Sequence, residues 1–281
     1  MRTGLHATIV LWMAMGLAGC SLFEESDSPD VSQIDFLFGT EESGRLKKQL
    51  NFSGSDDETV NSDIEFIYED NRLTEKVYHD YLGAQPYILQ KDEFIYKNGR
   101  LSQMIHYFRT GTTTSPLAVS KIYSYTYPDA NTKTEVIYND EGERRDSVIY
   151  SYAGNLLTEE KHYNHLGTWG SKYEYNSKGK LVKITDLASD DKFTVHSFDK
   201  KGRLNKTEGV VNGEVKSTAW YEYEIIRNTL VITMFSEDVY SRGERRPSAR
   251  KTYKNGKLVE YVLYHPTFPG AEWYCNRFEY Y

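Results

Sequence analysis

The chain has 281 residues and a formal charge of −7, from 34 basic and 41 acidic side chains. This overall charge disfavours nucleic acid and anionic lipid as partners bound through the general field of the protein. Its two cysteines exclude a disulfide framework because one of them, Cys20, has a different predicted role. The 24 tyrosines can cover neighbouring strands with their rings and keep their hydroxyls in water, which suits a thin apolar core.

Residues 1–19 are predicted to form a lipoprotein signal peptide. Arg2 gives a charged start, residues 9–18 form a short apolar run, and Leu17-Ala-Gly-Cys20 resembles a bacterial lipobox. The resemblance implies cleavage before Cys20 and a lipid on its sulfur. An uncleaved anchor helix is the alternative, but the apolar run is shorter than the roughly 20 residues that span a bilayer. We therefore expect Cys20 to provide the membrane contact.

Residues 20–33 are predicted to form a flexible acidic tether. The acidic cluster resembles the short export signal that carries Bacteroidetes lipoproteins to the outer face of the outer membrane. A plain solvated linker is the other interpretation. The expected location is therefore the bacterial outer membrane, with the domain exposed at the cell surface or, alternatively, facing the periplasm.

Residues 34–281 are predicted to form one domain of repeated β-hairpins, with a first strand near residues 34–38. The clearest copy is residues 94–107, where alternating aromatic and polar residues flank Asn98-Gly99, a sequence typical of a type I′ turn. A leucine follows each turn, and these markers are Leu46, Leu73, Leu101, Leu157, Leu181, Leu204, Leu230 and Leu258. Most are 23 to 28 residues apart, and the one step of 56 predicts a degenerate copy at residues 140–143.

An aromatic residue lies a fixed distance before most of these leucines. Two-residue turns separate Tyr68, Tyr96, Tyr152 and Tyr253 from their leucines, and three-residue turns with a bulge separate Tyr175 and Phe198 from theirs. Both turn types predict the same cross-strand pair of an aromatic ring and a leucine. Tyr223, seven residues before Leu230, departs from this spacing.

Segments such as Tyr173-Glu-Tyr-Asn-Ser-Lys-Gly-Lys-Leu181 and Phe198-Asp-Lys-Lys-Gly-Arg-Leu204 resemble the Tyr-Asp (YD, Rhs-type) repeats and related tyrosine-rich repeat lipoproteins of Bacteroidetes. The resemblance covers residues 34–281 and implies a β-hairpin repeat architecture. It implies no particular activity. The chain is too short to form the enclosing shell of the toxin-delivery members.

The expected fold is an all-β antiparallel meander, twisted as a single layer or curled on itself, with a closed up-and-down β-barrel as the alternative. Counting two residues on from each leucine, we expect charged or amide side chains on the same face as the tyrosines. These are Glu75, Gln103, Glu159, Lys183, Lys206 and Glu260. Such a face would not form a dry core, because burying unpaired charge is costly.

The meander has two rims, and we expect any binding site on the rim with the longer connections. Candidate ligand-binding residues there are Trp169, Trp220 and Trp273, at predicted loop ends, and Arg245 and Arg246 in a local basic cluster with Arg242, Arg250 and Lys251. The alternatives are indoles that cover a thin core and a solvated basic loop. His162 and His165 do not predict a metal site, because strand residues three apart face opposite ways.

The sequence predicts a noncatalytic surface module for a glycan, a protein or an envelope component. It predicts no catalytic residue and no cofactor. A carbohydrate hydrolase with carboxylates on the long-loop rim is the alternative, since glycosidases use carboxylate pairs and the chain is rich in carboxylates.

Overall fold

The computed structural model describes residues 45–53, 59–81, 86–237, 244–265 and 271–281, and it is all-β. The predictions for residues 1–19 and 20–33, Cys20, Arg242 and a strand at 34–38 lie outside these residues. The strands are β1 (Leu46–Ser53), β2 (Val60–Glu69), β3 (Arg72–Asp80), β4 (Tyr87–Lys97), β5 (Arg100–Arg109), β6 (Leu117–Asp129), β7 (Thr132–Asn139), β8 (Arg144–Ala153), β9 (Leu156–Asn164), β10 (Gly167–Tyr175), β11 (Leu181–Asp186), β12 (Ser189–Phe198), β13 (Leu204–Val211), β14 (Glu214–Ile226), β15 (Thr229–Glu237), β16 (Arg246–Lys254), β17 (Lys257–Tyr264) and β18 (Glu272–Tyr280). Within the described ranges, no helix has the length and apolar character needed to cross a bilayer.

Each strand pairs antiparallel with the strands before and after it along the chain. β1 pairs with β2 on one side and with β18 on the other, so the meander closes. The predicted antiparallel meander is therefore confirmed, in the form of the closed up-and-down barrel that was its alternative. Closure removes both sheet edges, which would otherwise offer unpaired backbone groups to other chains.

The predicted ring–leucine pairs are confirmed in register. The cross-strand partners are Tyr68 and Leu73, Tyr96 and Leu101, Tyr152 and Leu157, Tyr175 and Leu181, Phe198 and Leu204, and Tyr253 and Leu258. Tyr223 instead faces Ile232, as its wider spacing suggested. We call the side of the sheet that bears these pairs the tyrosine face, and the other side the opposite face.

A ninth unit, which contains a seventh ring–leucine pair, is split between the two ends of the chain. Leu46 of β1 lies opposite Tyr280 of β18. Beyond this pair, the backbone N–H of Tyr281 donates to the carbonyl of Arg45 at 3.0 Å. The first leucine marker therefore finds its aromatic partner in the last strand, and this pair closes the barrel.

The residue after each marker leucine except Leu230 forms a β-bulge, so the expected position of the charged side chains was wrong. The register shifts by one residue next to the ring–leucine pair, for example between Ile95 and Tyr96. Gln103 therefore faces Ile95 on the opposite face instead of following Leu101 on the tyrosine face. The same shift moves Glu75, Glu159, Lys183, Lys206 and Glu260. The hydroxyl of the bulge residue Ser102 donates to the carbonyl of Ile95 at 2.9 Å.

The degenerate copy lies at residues 129–132, so its predicted place at 140–143 was wrong. The turn at 129–132 joins β6 to β7 on the same rim as the other tight turns, whereas residues 140–143 join β7 to β8 on the other rim. This turn contains no glycine. It is held instead by Asp129, whose carboxylate accepts a hydrogen bond from the backbone N–H of Asn131 at 2.7 Å. The copy lacks the leucine, which is why counting leucines missed it.

Five units are tied to the preceding one through a tyrosine. The hydroxyls of Tyr96, Tyr127, Tyr175, Tyr223 and Tyr280 donate to the carbonyls of Leu73, Leu101, Leu157, Leu204 and Leu258, at 2.8 to 3.0 Å. The cation just before a marker leucine lies over the same ring: Arg72 lies 5.5 Å from the centre of the Tyr96 ring, and Arg203 lies 4.7 Å from that of Tyr223. This cation–π contact and the hydrogen bond repeat around one rim.

Most of the buried apolar side chains lie on the tyrosine face. One cluster joins Leu230, Tyr253, Leu258 and Phe278, and another joins Phe66, Leu73 and Phe94. The opposite face buries a smaller group formed by Phe52, Val262 and Cys275 beside the closing strand. The core is thus a layer of rings and aliphatic chains spread along the sheet.

Candidate functional site

The three candidate tryptophans lie in strands, with Trp169 and Trp273 among the first three residues after a connection, and they are far apart. Trp169 is in β10, Trp220 in β14 and Trp273 in β18. Neighbouring strands are about 4.8 Å apart, so four strands separate the backbones of successive tryptophans by roughly 19 Å along the sheet. They therefore do not form one binding platform.

Trp220 lies on the opposite face between Lys206 and Phe235. The guanidinium of Arg245 covers it, with its carbon 5.4 Å from the Trp220 ring centre and 4.5 Å from that of Phe235. Arg245 also makes an ion pair with Glu222 at 2.6 Å. Both candidate residues are thus engaged in contacts that hold the sheet together.

Trp273 is exposed over 56% of its surface and lies near His265, with ring centres 5.5 Å apart. Arg246, the second candidate cation, makes an ion pair with Glu244 at 2.6 Å. Arg250 of the same basic cluster contacts Glu260 and Glu272 at 3.2 and 3.5 Å. Because these carboxylates neutralise the cluster locally, its attraction for an anion is weak.

Trp169 is the candidate whose surroundings form a site. It lies on the tyrosine face opposite His162, and the two rings stack with centres 5.2 Å apart and planes 10° from parallel. Trp169 is nevertheless exposed over 42% of its surface. A flat aromatic pair that remains open to solvent is suited to stacking against a ligand.

Polar groups with defined orientation lie beside this ring pair. The Nε2–H of His162 donates to Oε1 of Glu160, and the hydroxyl of Tyr173 donates to Oε2 of the same carboxylate at 3.2 Å. Burial by itself would raise the pKa of Glu160, but these hydrogen bonds and the positive charges of His162 and Lys133 lower the pKa overall. Glu160 is therefore held as a carboxylate.

Gly170 permits the close backbone approach that positions Trp169. Its φ is 158°, and a Cβ built on it would lie 1.9 Å from the carbonyl oxygen of Glu160. Any other residue would force β10 away from β9. The glycine thus fixes the distance between the strand that carries Trp169 and the strand that carries Glu160.

A second carboxylate lies on the same face two strands away. Glu135 of β7 faces Val148 of β8, which in turn faces His162 of β9. Burial raises the pKa of Glu135, opposed by the positive charges of Lys133 and His162. Two carboxyl groups with pKa values shifted in opposite directions thus lie on one face, in strands about 10 Å apart.

Lys133 and Tyr150 connect the two carboxylates. The Nζ of Lys133 lies 4.4 Å from the centre of the Tyr150 ring, and Tyr150 lies opposite Glu160. Burial and the negative charges of Glu135 and Glu160 raise the pKa of the Tyr150 hydroxyl, which therefore stays a neutral hydrogen-bond donor. We call Glu135, Tyr150, Glu160, His162, Trp169 and Tyr173 the Trp169 site.

Of this site, Trp169 alone was predicted from the sequence, and the polar members were missed. One signal could have found His162: it lies as far before the turn at residues 165 and 166 as Trp169 lies after it, so hairpin register alone places them opposite each other. Across the described ranges, no group of histidine, cysteine and acidic residues has the arrangement of a metal site.

Two shallow depressions lie at the tight-turn rim. One, of about 470 Å³, is lined by residues that include Lys97, Arg100 and Tyr127. Its neighbour, of about 380 Å³, shares Arg100 and Tyr127 and extends to Tyr152. Each lies between adjacent hairpins, so the space comes from the gap between turns and not from loop length.

No protein-family model matches the chain, and no curated protein matches it in sequence. Solved structures are similar at low identity. A protein of unknown function from Bacteroides fragilis NCTC 9343 is 14% identical over 59% of this chain and 91% of its own, with a TM-score of 0.23. A porin-like protein from Bacteroides uniformis ATCC 8492 is 10% identical over 85% and 98%, with a TM-score of 0.30. The TcdB2-TccC3 structure is 12% identical over 76% of this chain and 15% of its own, with a TM-score of 0.33.

Proposed function

We propose that the protein is a noncatalytic binding module that takes up a glycan through the Trp169 site. The observation that carries the proposal is the Trp169–His162 stack, which is open to solvent and bordered by a carboxylate and a tyrosine hydroxyl. A sugar ring presents an apolar face to an indole and hydroxyls to the polar groups around it. The Trp169 site offers both kinds of contact within two adjacent hairpins.

The proposal includes attachment to the bacterial outer membrane through a lipid on Cys20. Its support is the lipobox-like Leu17-Ala-Gly-Cys20 after a short apolar run, followed by an acidic stretch. Export to the cell surface would bring the Trp169 site to extracellular polysaccharide. Membership of the YD-type repeat lipoproteins is part of the same proposal, supported by the recurring tyrosine, tight turn and leucine.

Binding is tested with the chain from Ser21 onward, which retains all eighteen strands. Screening it on an array of bacterial and plant polysaccharides, then titrating the best ligand in a calorimeter, measures the affinity. Trp169→Ala should weaken binding at least tenfold, which corresponds to about 1.4 kcal/mol. Trp220→Ala is the matched control, because Arg245 already covers that indole, and it should leave the affinity unchanged. Equal losses in both variants would contradict the proposed site.

A glycoside hydrolase is the second candidate function, favoured by the opposite pKa shifts of Glu135 and Glu160. In that role Glu135 would act as the general acid and Glu160 as the general base. The pair lies on the tyrosine face and not on the long-loop rim where the sequence analysis expected carboxylates. Release of reducing ends from the bound polysaccharide, abolished by Glu160→Gln, would favour the hydrolase. Binding without release would favour the module.

A further inference from the structure

The two rims of the barrel carry opposite charge, although the whole chain carries only −7. The tight-turn rim comprises residues 69–72, 97–100, 129–132, 153–156, 176–180, 199–203, 226–229 and 254–257, with Arg45 and Tyr281 at the chain ends. All of these residues are described. They include twelve lysines and arginines and four acidic side chains, so this rim carries +8 and the remaining residues carry −15.

Several of these cations are exposed and lack a local counter-charge. Lys97, Lys178, Lys200, Lys201, Arg227 and Lys254 have no carboxylate within ion-pair distance among the described residues. Others lie over tyrosine rings, as Arg72 and Arg100 do, which keeps them fixed at the rim. The turns therefore present a ring of positive charge at one end of the barrel.

Exposed apolar side chains accompany this charge. Ile225 and Ile226 at the β14–β15 turn are 49% and 54% exposed, and Tyr281 is 64% exposed. Cations together with apolar and aromatic side chains are the composition of surfaces that bind at the membrane interface.

The chain also enters the barrel at this rim. Arg45 and Tyr281 meet there through a backbone hydrogen bond of 3.0 Å. The proposed lipidation site at Cys20 precedes Arg45 by only 25 residues. A lipid there would attach the tether to the barrel at the tight-turn rim, where β1 begins.

We infer that the tight-turn rim docks on an anionic membrane surface. Phosphate headgroups would contact the rim cations, and Ile225, Ile226 and Tyr281 would enter the interface. This inference extends the proposed membrane attachment, because it also gives the barrel an orientation. The tight-turn rim contacts the bilayer, and the other rim points away from it. The Trp169–His162 stack, near the other end of β10, then lies on the side away from the membrane.

The test uses the chain from Ser21 onward and vesicles, so it does not depend on lipidation or on glycan binding. Sedimentation with vesicles containing about one third phosphatidylglycerol should bind the protein, and pure phosphatidylcholine vesicles should bind at least tenfold less. Raising the salt from about 50 mM to about 500 mM should remove most of the binding, because it shortens the screening length. Equal binding to both kinds of vesicle, or none to either, would overturn the inference.

Charge-reversal variants at the two rims distinguish binding through the tight-turn rim from binding through the overall charge of the protein. Lys97→Glu, Lys178→Glu and Lys201→Glu together should reduce binding to the anionic vesicles at least tenfold. Arg145→Glu, Lys192→Glu and Lys216→Glu make the same change in net charge at the other rim and should have little effect. Circular dichroism melts confirm that both triple variants are folded. Equal losses of vesicle binding in both triple variants would overturn the assignment to the tight turns. Displacement of the vesicles by a soluble anionic polysaccharide at equal charge concentration would overturn it as well.

Discussion

Two clusters of the barrel combine a carboxylate, a histidine and a tyrosine hydroxyl, and they differ in exposure. Asp63, on the opposite face, is fully buried and contacts Lys48 and His79 at 2.8 Å each, as well as the hydroxyl of Tyr81. Glu160, on the tyrosine face, has the same kinds of partner but lies beside the exposed Trp169. The Asp63 cluster joins the closing strand β1 to β2, and residues at the end of β3 complete it. The same kinds of group thus stabilise the contact of β1 with β2 in one cluster and remain accessible to a ligand in the other.

Replacing the buried carboxylate of Asp63 should have the largest effect on stability. Asp63→Asn removes one partner of a buried ion pair, and we expect it to lower the free energy of unfolding by about 3 kcal/mol. Urea denaturation measures this loss. Glu160→Gln is the matched control, and because Glu160 is partly exposed it should cost less than about 1 kcal/mol. Similar losses would mean that the two clusters have the same structural role.

Acid should remove the contribution of Asp63. Burial by itself would raise its pKa, but hydrogen bonds from Lys48, Tyr81 and His79 lower the pKa below the ordinary value of 3.8. A carboxyl whose pKa is lower in the folded state stabilises the fold above its unfolded pKa and stops doing so as the pH falls through the folded pKa. The difference in stability between the wild type and Asp63→Asn should therefore be present at pH 7 and shrink as the pH falls below about 4. A difference that persists unchanged at about pH 2 would contradict this.

Gly170→Ala should disturb the Trp169 site by moving the backbones of β9 and β10 apart. The added Cβ collides with the carbonyl oxygen of Glu160, and we expect a cost of about 2 kcal/mol together with loss of glycan binding. Gly154→Ala is the control for backbone strain alone, since its φ is 60° and no atom lies within 4 Å of the added Cβ. It should cost about 1 kcal/mol and leave binding intact. A fully bound Gly170→Ala variant would show that the strand approach is not needed.

The smallest expected effect concerns the hydrogen bond from a tyrosine hydroxyl to a leucine carbonyl, which recurs around the barrel. Tyr96→Phe removes the hydroxyl that donates to the carbonyl of Leu73 at 3.0 Å, and it should cost about 1 kcal/mol. Phe198 already occupies the corresponding position in another unit, under Lys180. A thermal melt that shows no change in Tyr96→Phe would mean that the cation–π contact alone holds these units together.

The local pairing could be predicted from the sequence, because a tight turn fixes which residues face each other. Asn98-Gly99 places Tyr96 opposite Leu101 whatever the rest of the chain does. The bulge at Ser102 could not be predicted, since a serine in a strand has no distinctive pattern, and its omission put Gln103 on the wrong face. Closure was left as an alternative because it depends on twist accumulated over eighteen strands.

The site could be predicted only in part for a related reason. Trp169 was singled out by its residue type, whereas Glu160 and Glu135 are two among 41 acidic side chains. Their relation depends on Val148 and Tyr150 of the strand between them. Position across several strands is set by register, and no single stretch of sequence carries it.

The split ninth unit also constrains how the barrel is made. Each of the other units brings together residues that are neighbours along the chain, whereas Leu46 and Tyr280 come from opposite ends. Contacts between distant residues form late, because they require the largest loop to close. The final strand must therefore be present before the first one can pair on both sides, and a chain truncated before β18 would keep two unpaired sheet edges.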